Sequence, residues 1–383
     1  MSFQAGAQVE YCKLSKLDVH RCAFDVLQLN TPLVESIRET IRAEGPQSFA
    51  WFMQQTLYHP DHGYYASGRC AIGRKGDYFT NVSVGALFGQ LLALQFFEIW
   101  ERLGKMDDFV IAEQGGHDGQ FALDVLEFVQ NELPEFFDAL AYRIIEPFPT
   151  LEQRQRRSLE AFGDKVKWSD SPEPFTGIHF SNELLDAMPV RLISDGTEKL
   201  IGLDGDKFVF VERPVNKAIF NQSALDWMDE IAANLQRGYV IAIDYGCTDE
   251  DFRRSVQVRA QHRNLHSPFE SIGEADITMS VDWRSIVERA QANGLGIVGF
   301  TDQHHFLTGI ISQFGRGGSP ESPAGDWGQS PLPDSRKAKR ELQTLLHPEI
   351  LGRAFQVLAL AKNVFSETDP LAGFKFGSES PLR

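Results

Sequence analysis

The run Phe109-Val-Ile-Ala-Glu-Gln-Gly-Gly-His-Asp-Gly119 sets the fold class: a short apolar segment ends in an acid, a Gly-rich turn follows, and an amphipathic segment comes next. FVIAE (109–113) reads as a strand, and 119–131 reads as a helix with Phe121, Val125 and Phe128 directed inward. Strand, Gly-rich turn and helix in that order open a βαβ unit. Doubly wound sheets made of such units bind nucleotides at the carboxyl ends of their strands.

Downstream, YRIIE (142–146) is the next strand and LEQRQRRSLEAF (151–162) the next helix. GIHFS (177–181) is a further strand, followed by a short helix through Leu184 and Leu185 that ends at Pro189. Asp195-Gly196 and Asp204-Gly205 punctuate three apolar runs as hairpin turns would, which predicts an antiparallel insertion over 189–213. A helix at 223–236 leads into YVIAIDYG (239–246), the most apolar strand, and a helix at 282–293 precedes a strand at 295–300. FQVLALA (355–361) closes the sheet. The expected organisation is an N-terminal extension (1–32), a helical cap with Gly-rich loops (33–104), an α/β domain (105–362) and a frayed tail (363–383). The α/β domain carries the 189–213 insertion and a mobile Gly-, Pro- and Ser-rich loop at 315–335.

The composition, 42% apolar and 23% charged over 383 residues, excludes collagen-like, rod-like and wholly disordered chains. With 37 Lys and Arg against 53 Asp and Glu, the net charge of −16 disfavours nucleic acid and anionic membranes as partners. The longest apolar stretch, Leu87 to Trp100, is interrupted by Gly89, Gln90, Gln95 and Glu98, so no transmembrane helix is expected. The first twenty residues carry neither an apolar signal core nor an Arg-rich, acid-free presequence, which makes the cytoplasm the expected location. Cys12, Cys22, Cys70 and Cys247 form no Cys-x-x-Cys pair, and the paired histidines sit in no His-Glu-x-x-His frame; no metal is expected.

Glu113, at the first strand end, is placed to hold a ligand's amino group or a loop. Glu146, ending the second strand, is placed to accept hydrogen bonds from both hydroxyls of a ribose. That pair around a Gly-rich turn suits an adenosine ligand; a tight turn beside a solvated Glu146 is the plain alternative. A nicotinamide-dependent oxidoreductase would share these features, but QGGHDG lacks the Gly-x-Gly-x-x-Gly spacing.

Over residues 33–362 the chain resembles the MidA-type S-adenosylmethionine-dependent methyltransferases, a family that includes a mitochondrial complex I assembly factor acting as a protein arginine methyltransferase. The resemblance lies in ordered motifs: Ile41-Arg-Ala-Glu-Gly-Pro, Leu57-Tyr-His-Pro-Asp-His-Gly-Tyr-Tyr, Gly76-Asp-Tyr-Phe-Thr, Glu113 to Gly119, Glu146-Pro-Phe-Pro, Asn182-Glu-Leu-Leu-Asp-Ala-Met-Pro and Ile243-Asp-Tyr-Gly. It implies an α/β class I methyltransferase sheet, Rossmann-like and doubly wound, with an antiparallel last strand. It also implies S-adenosyl-L-methionine as cofactor, held by Glu113, Gly115, Gly116, His117, Gly119, Glu146 and Asn182. The implied acceptor is a protein arginine, and Glu183, Asp186 and Asp77 are the carboxylates expected to grip its guanidinium. His117 stands where the family has its middle glycine, so φ there is expected to be strained unless Gly116 supplies the flexibility one residue early. The alternative function is a non-catalytic scaffold or assembly chaperone that has kept the fold and lost the cofactor.

Overall fold

The computed structural model describes residues 31–68, 80–216, 219–247, 256–261, 263–314, 332, 335–364 and 369–377. Most of the expected N-terminal extension, most of the 315–335 loop, and Asp77 lie outside these residues.

Seven strands make the body of the central sheet: β1 (Phe109–Gln114), β2 (Leu140–Ile145), β3 (Val166–Ser169), β4 (Phe175–Asn182), β5 (Leu235–Cys247), β6 (Gly296–Asp302) and β7 (Phe355–Lys362). Their spatial order is β6-β7-β5-β4-β1-β2-β3, and the two-residue strand Val281–Asp282 adds parallel to the end of β5. Strands β3, β2, β1, β4 and β5 pair in parallel, whereas β7 runs antiparallel to both of its neighbours. This is the doubly wound sheet with an antiparallel last strand that the resemblance implies. The inner strands are apolar on both sides because helices cover both faces. The helices Leu87–Arg102, Gln120–Glu132 and Gln303–Phe314 bury one face around Phe96, Phe121 and Phe180. Gln222–Asn234 and Trp283–Ala292 bury the other around Trp227, Trp283 and Ile286.

A third core joins the cap to the insertion. The helices Pro32–Glu44 and Phe49–Tyr58 contribute Ile37, Phe49, Phe52 and Met53, which meet Ile201, Phe208 and Ile277. The strands Leu192–Ser194, Thr197–Asp204 and Lys207–Pro214 are antiparallel, and Gln47–Ser48 pairs with Leu200 and Ile201 at their edge.

Two local expectations are corrected, and one further sheet is found. No helix runs through Leu184 and Leu185, because the amides of Leu185 and Asp186 donate to the Asp244 carboxylate on β5 instead of to a preceding turn. The stretch after β5 contains a small antiparallel sheet of Val256–Ala260, Arg263–Asn264 and Asp276–Met279. The tail is pinned rather than frayed over 371–374: Leu371, Ala372 and Phe374 are buried, Gly373 N donates to Gln95 Oε1, and Ala372 N donates to Glu98.

At the centre of the sheet two glycines allow the strands their spacing. A Cβ on Gly177 would stand 2.1 Å from the Val110 carbonyl oxygen, and one on Gly238 would stand 1.9 Å from the Gly177 carbonyl oxygen. Their φ angles, 140° and 139°, also suit glycine alone. Because the clash is with backbone that no rotamer can relieve, Gly238→Ala should lower unfolding free energy by about 3 kcal/mol. Urea titration followed by circular dichroism checks this.

Candidate functional site

Three acids at or just past strand ends, Glu113, Glu146 and Glu183, converge on one cleft of about 510 Å³ at the carboxyl edge of the sheet. Gly115, Gly116, His117, Glu146, Asn182 and Glu183 line it, with Glu113 at its floor. Gly119 does not; at φ 84° it opens the helix Gln120–Glu132, and a Cβ there would press on the Gln155 backbone at 3.3 Å. Its role is to let the helix Pro149–Ser158 approach the turn.

The turn keeps its strain at His117. Gly115 has φ 85° and His117 has φ 44°, whereas Gly116 is not left-handed, so the flexibility is not supplied one residue early. Gly116 is instead constrained by space: a Cβ would lie 3.0 Å from the Glu113 carboxylate. Glu113 is buried, accepts a 2.7 Å hydrogen bond from the Tyr142 hydroxyl, and is pushed up to a pKa of about 7 by that burial.

Glu146 sits on the same side of the sheet. Its Oε1 accepts from Phe148 N and its Oε2 from Gln155 Nε2, both at 3.0 Å, which aligns the carboxylate along the cleft wall. Burial moves its pKa up to about 7 against the pull of these hydrogen bonds. Gln155 was not legible as a site residue, yet it is fully buried and links three parts of the site: Nε2 also donates to the His117 carbonyl oxygen, and Oε1 accepts from the Trp168 indole. A polar residue on the inward side of an Arg-rich helix was the available signal.

Across the cleft, Glu183 adopts φ 53° just after β4, its amide donating to the Ile243 carbonyl oxygen at 2.9 Å. Its Oε1 accepts from Asn81 N at 3.2 Å and from Asn182 Nδ2 at 3.0 Å; its Oε2 accepts from none of the described residues. Burial, with Asp244 and Asp276 nearby, pushes its pKa up to about 8. Asp186 lies behind this wall and does not line the cleft; burial and the charges of Asp244, Asp276 and Glu183 push its pKa up. Asp77 belongs to a segment outside the described residues.

The cap supplies the outer wall. Tyr58 is stacked between Phe148, at 6.1 Å, and Tyr65, at 5.6 Å, and its hydroxyl donates to the Ala187 carbonyl oxygen at 3.0 Å. The Tyr65 hydroxyl donates to Asp276 at 2.6 Å. Asn81, which holds Glu183, and Asp276, which holds Tyr65, support the cleft from behind its lining, and the sequence assigned neither a role. The cleft thus pairs a backbone turn and a strand-end acid at one end with open carboxylate at the other, which suits a nucleoside ligand beside a cationic one.

Comparison with known proteins identifies the family. A model of the family described as "Putative S-adenosyl-L-methionine-dependent methyltransferase" matches residues 91–222 and 216–301. The chain is 32% identical to protein arginine methyltransferase NDUFAF7, mitochondrial, of Rattus norvegicus, over 92% of this chain and 89% of that one. It is 25% identical to the Drosophila melanogaster homologue, over 89% of this chain and 88% of that one. A crystal structure from Burkholderia thailandensis bound to S-adenosyl-homocysteine superposes with a TM-score of 0.77 at 27% identity, over 92% of this chain and 96% of that one. The expectation of a cytoplasmic protein is corrected by the named relatives, which are mitochondrial proteins. Matched over more than half its length, and related to the rat protein along nearly all of it, the chain belongs to the family of S-adenosyl-L-methionine-dependent methyltransferases.

Proposed function

We propose that the protein binds S-adenosyl-L-methionine in this cleft and methylates a guanidinium nitrogen of a protein arginine. The observation that carries the acceptor half is Glu183: one carboxylate oxygen is anchored by Asn81 and Asn182, and the other is open at the cleft wall. A planar guanidinium matches a fixed carboxylate better than an ammonium does, because its N–H groups form a rigid fork. Asp186, Asp244 and Asp276 behind Glu183 add negative potential on the same side. The names of the relatives, protein arginine methyltransferases, support the same acceptor.

The residues present fit the cofactor. Glu146 has lone pairs left for ribose hydroxyls after serving Phe148 and Gln155, and Gly115 and Gly116, whose Cβ positions would crowd Leu184 and Glu113, bring bare backbone to the cleft wall. When bound, S-adenosylmethionine supplies a methyl group activated by its sulfonium. The chain's own contribution is positioning: Glu183 fixes the acceptor nitrogen, Tyr58 and Phe148 wall off water, and the ionised Glu183 can receive the proton that the nitrogen gives up. His117 favours a second reading, a scaffold without cofactor, because its side chain enters a turn that the family keeps open. Titration of the protein with S-adenosylhomocysteine separates the two.

Calorimetry should show binding, and Glu146→Ala should weaken it by about 1.5 to 3 kcal/mol, the usual cost of losing a hydrogen-bonded charge. Unchanged affinity would remove Glu146 from the ribose.

Glu183→Gln should leave that affinity intact while reducing methyl transfer to an arginine peptide by roughly a hundredfold, the scale of a misplaced reactant. Full turnover by the variant would show that Glu183 is not the clamp.

Activity should also depend on pH through the same group. Glu183 grips a cation only when ionised, so kcat/KM for the peptide should rise as pH increases through about 8 and fall off below it. A profile that is flat over this range in the unsubstituted protein, or unaltered in Glu183→Gln, would contradict the assignment.

A further inference from the structure

Gln114, the last residue of β1, has its side chain on the opposite face of the sheet from Glu113. It lies beside Ile145 of β2, its register partner, and beneath the helix Gln222–Asn234. Its Oε1 accepts from the Trp227 indole Nε1 at 3.0 Å and faces His179 Nε2 at 3.3 Å. An indole N–H can only donate, so the amide is fixed with its oxygen on that side. His179 is fully buried on β4, and burial pushes its pKa down to about 3. It is therefore neutral, and because it faces an acceptor oxygen, its proton is on Nε2. Both holders engage the oxygen. The Gln114 amide nitrogen donates to no acceptor among the described residues, although Gln114 lines the cleft.

The surroundings specify what should receive those donors. Leu184 and Met188 line the cleft and pack against the same core as Ile145 and Trp227, which makes this side an apolar slot. Glu146 lies on the other side, with Gln155. A purine needs apolar contact on its faces and a few polar groups at its edge. We infer that Gln114, held by Trp227 and His179, donates its amide protons to a ring nitrogen of the cofactor's purine. With its oxygen already engaged, it can serve a ring acceptor but not the exocyclic amine. The inference rests on the cofactor reading above and adds a residue to it.

The test is calorimetric, with two ligands that share the nucleoside and differ in the amino-acid arm: S-adenosylhomocysteine and methylthioadenosine. Gln114→Glu keeps the shape and replaces donors by acceptors, so it should weaken both ligands by the same factor, roughly tenfold. Trp227→Phe, which releases one holder, should weaken both equally and by less. Thermal unfolding of each variant checks that the fold is kept, and Gln114→Met serves if Gln114→Glu does not fold, with the same equal loss expected. A loss seen with S-adenosylhomocysteine alone would assign the amide to the amino-acid arm and overturn the purine contact. Unchanged affinity for both ligands would overturn it too. If the unsubstituted protein binds neither ligand, the cofactor reading fails and takes this assignment with it.

Discussion

The site is organised by one buried carboxylate. Asp244, near the end of β5, is 1% exposed and receives three backbone amides: Leu185 at 2.7 Å and Asp186 at 3.2 Å on Oδ2, and Tyr245 at 2.7 Å on Oδ1. Burial pushes its pKa up to about 7, so it is kept in place by the amide dipoles rather than by an opposite charge. Those amides belong to the loop after β4, and holding them fixes the chain that presents Glu183. A carboxylate at that point stops the loop from winding into a helix, and the φ of 53° at Glu183 follows from the path it imposes. Without it, the Glu183 side of the cleft would have no rigid wall.

The sequence was legible where periodicity and position act together. The apolar runs that became β1, β4, β5 and β7 were readable because both faces of those strands are covered, and the acids at 113 and 146 because strand ends in such sheets face ligands. Residues whose role comes from contacts far away in the chain were not readable. Gln155 matters through His117, 38 residues away, and Asp276 through Tyr65, 211 residues away. Asp186 shows the opposite failure: its place just past the carboxyl end of β4 suggested a second clamp, but the amide bonds to Asp244 turn the chain so that it lies behind the wall. The helix expected through Leu184 fails for the same reason.

Raised pKa values at Glu113, Glu146, Glu183 and Asp244 share a cause in desolvation, and they have a common consequence for stability. A carboxyl whose folded pKa lies above its unfolded value binds more protons when folded, so the native state loses stability as pH rises from the unfolded pKa through the folded one. A cation or ribose bound at Glu183 or Glu146 would favour the ionised form and offset part of this burden.

The cap and the insertion share an aromatic core in which Phe52 meets Phe208 and Phe269 edge-on or nearly so, at 6.2 and 5.8 Å. That core is distinct from the two that sandwich the central sheet, and the cleft lies where it meets them. Tyr58 crosses between them by bonding to Ala187 and stacking on Phe148. A molecule held by both would act as a staple across the seam, and amides in the helix Phe49–Tyr58 would slow in hydrogen exchange on occupancy even though that helix lies outside the sheet. Ligand affinity and the cohesion of the cap are in this sense one quantity, read from opposite sides.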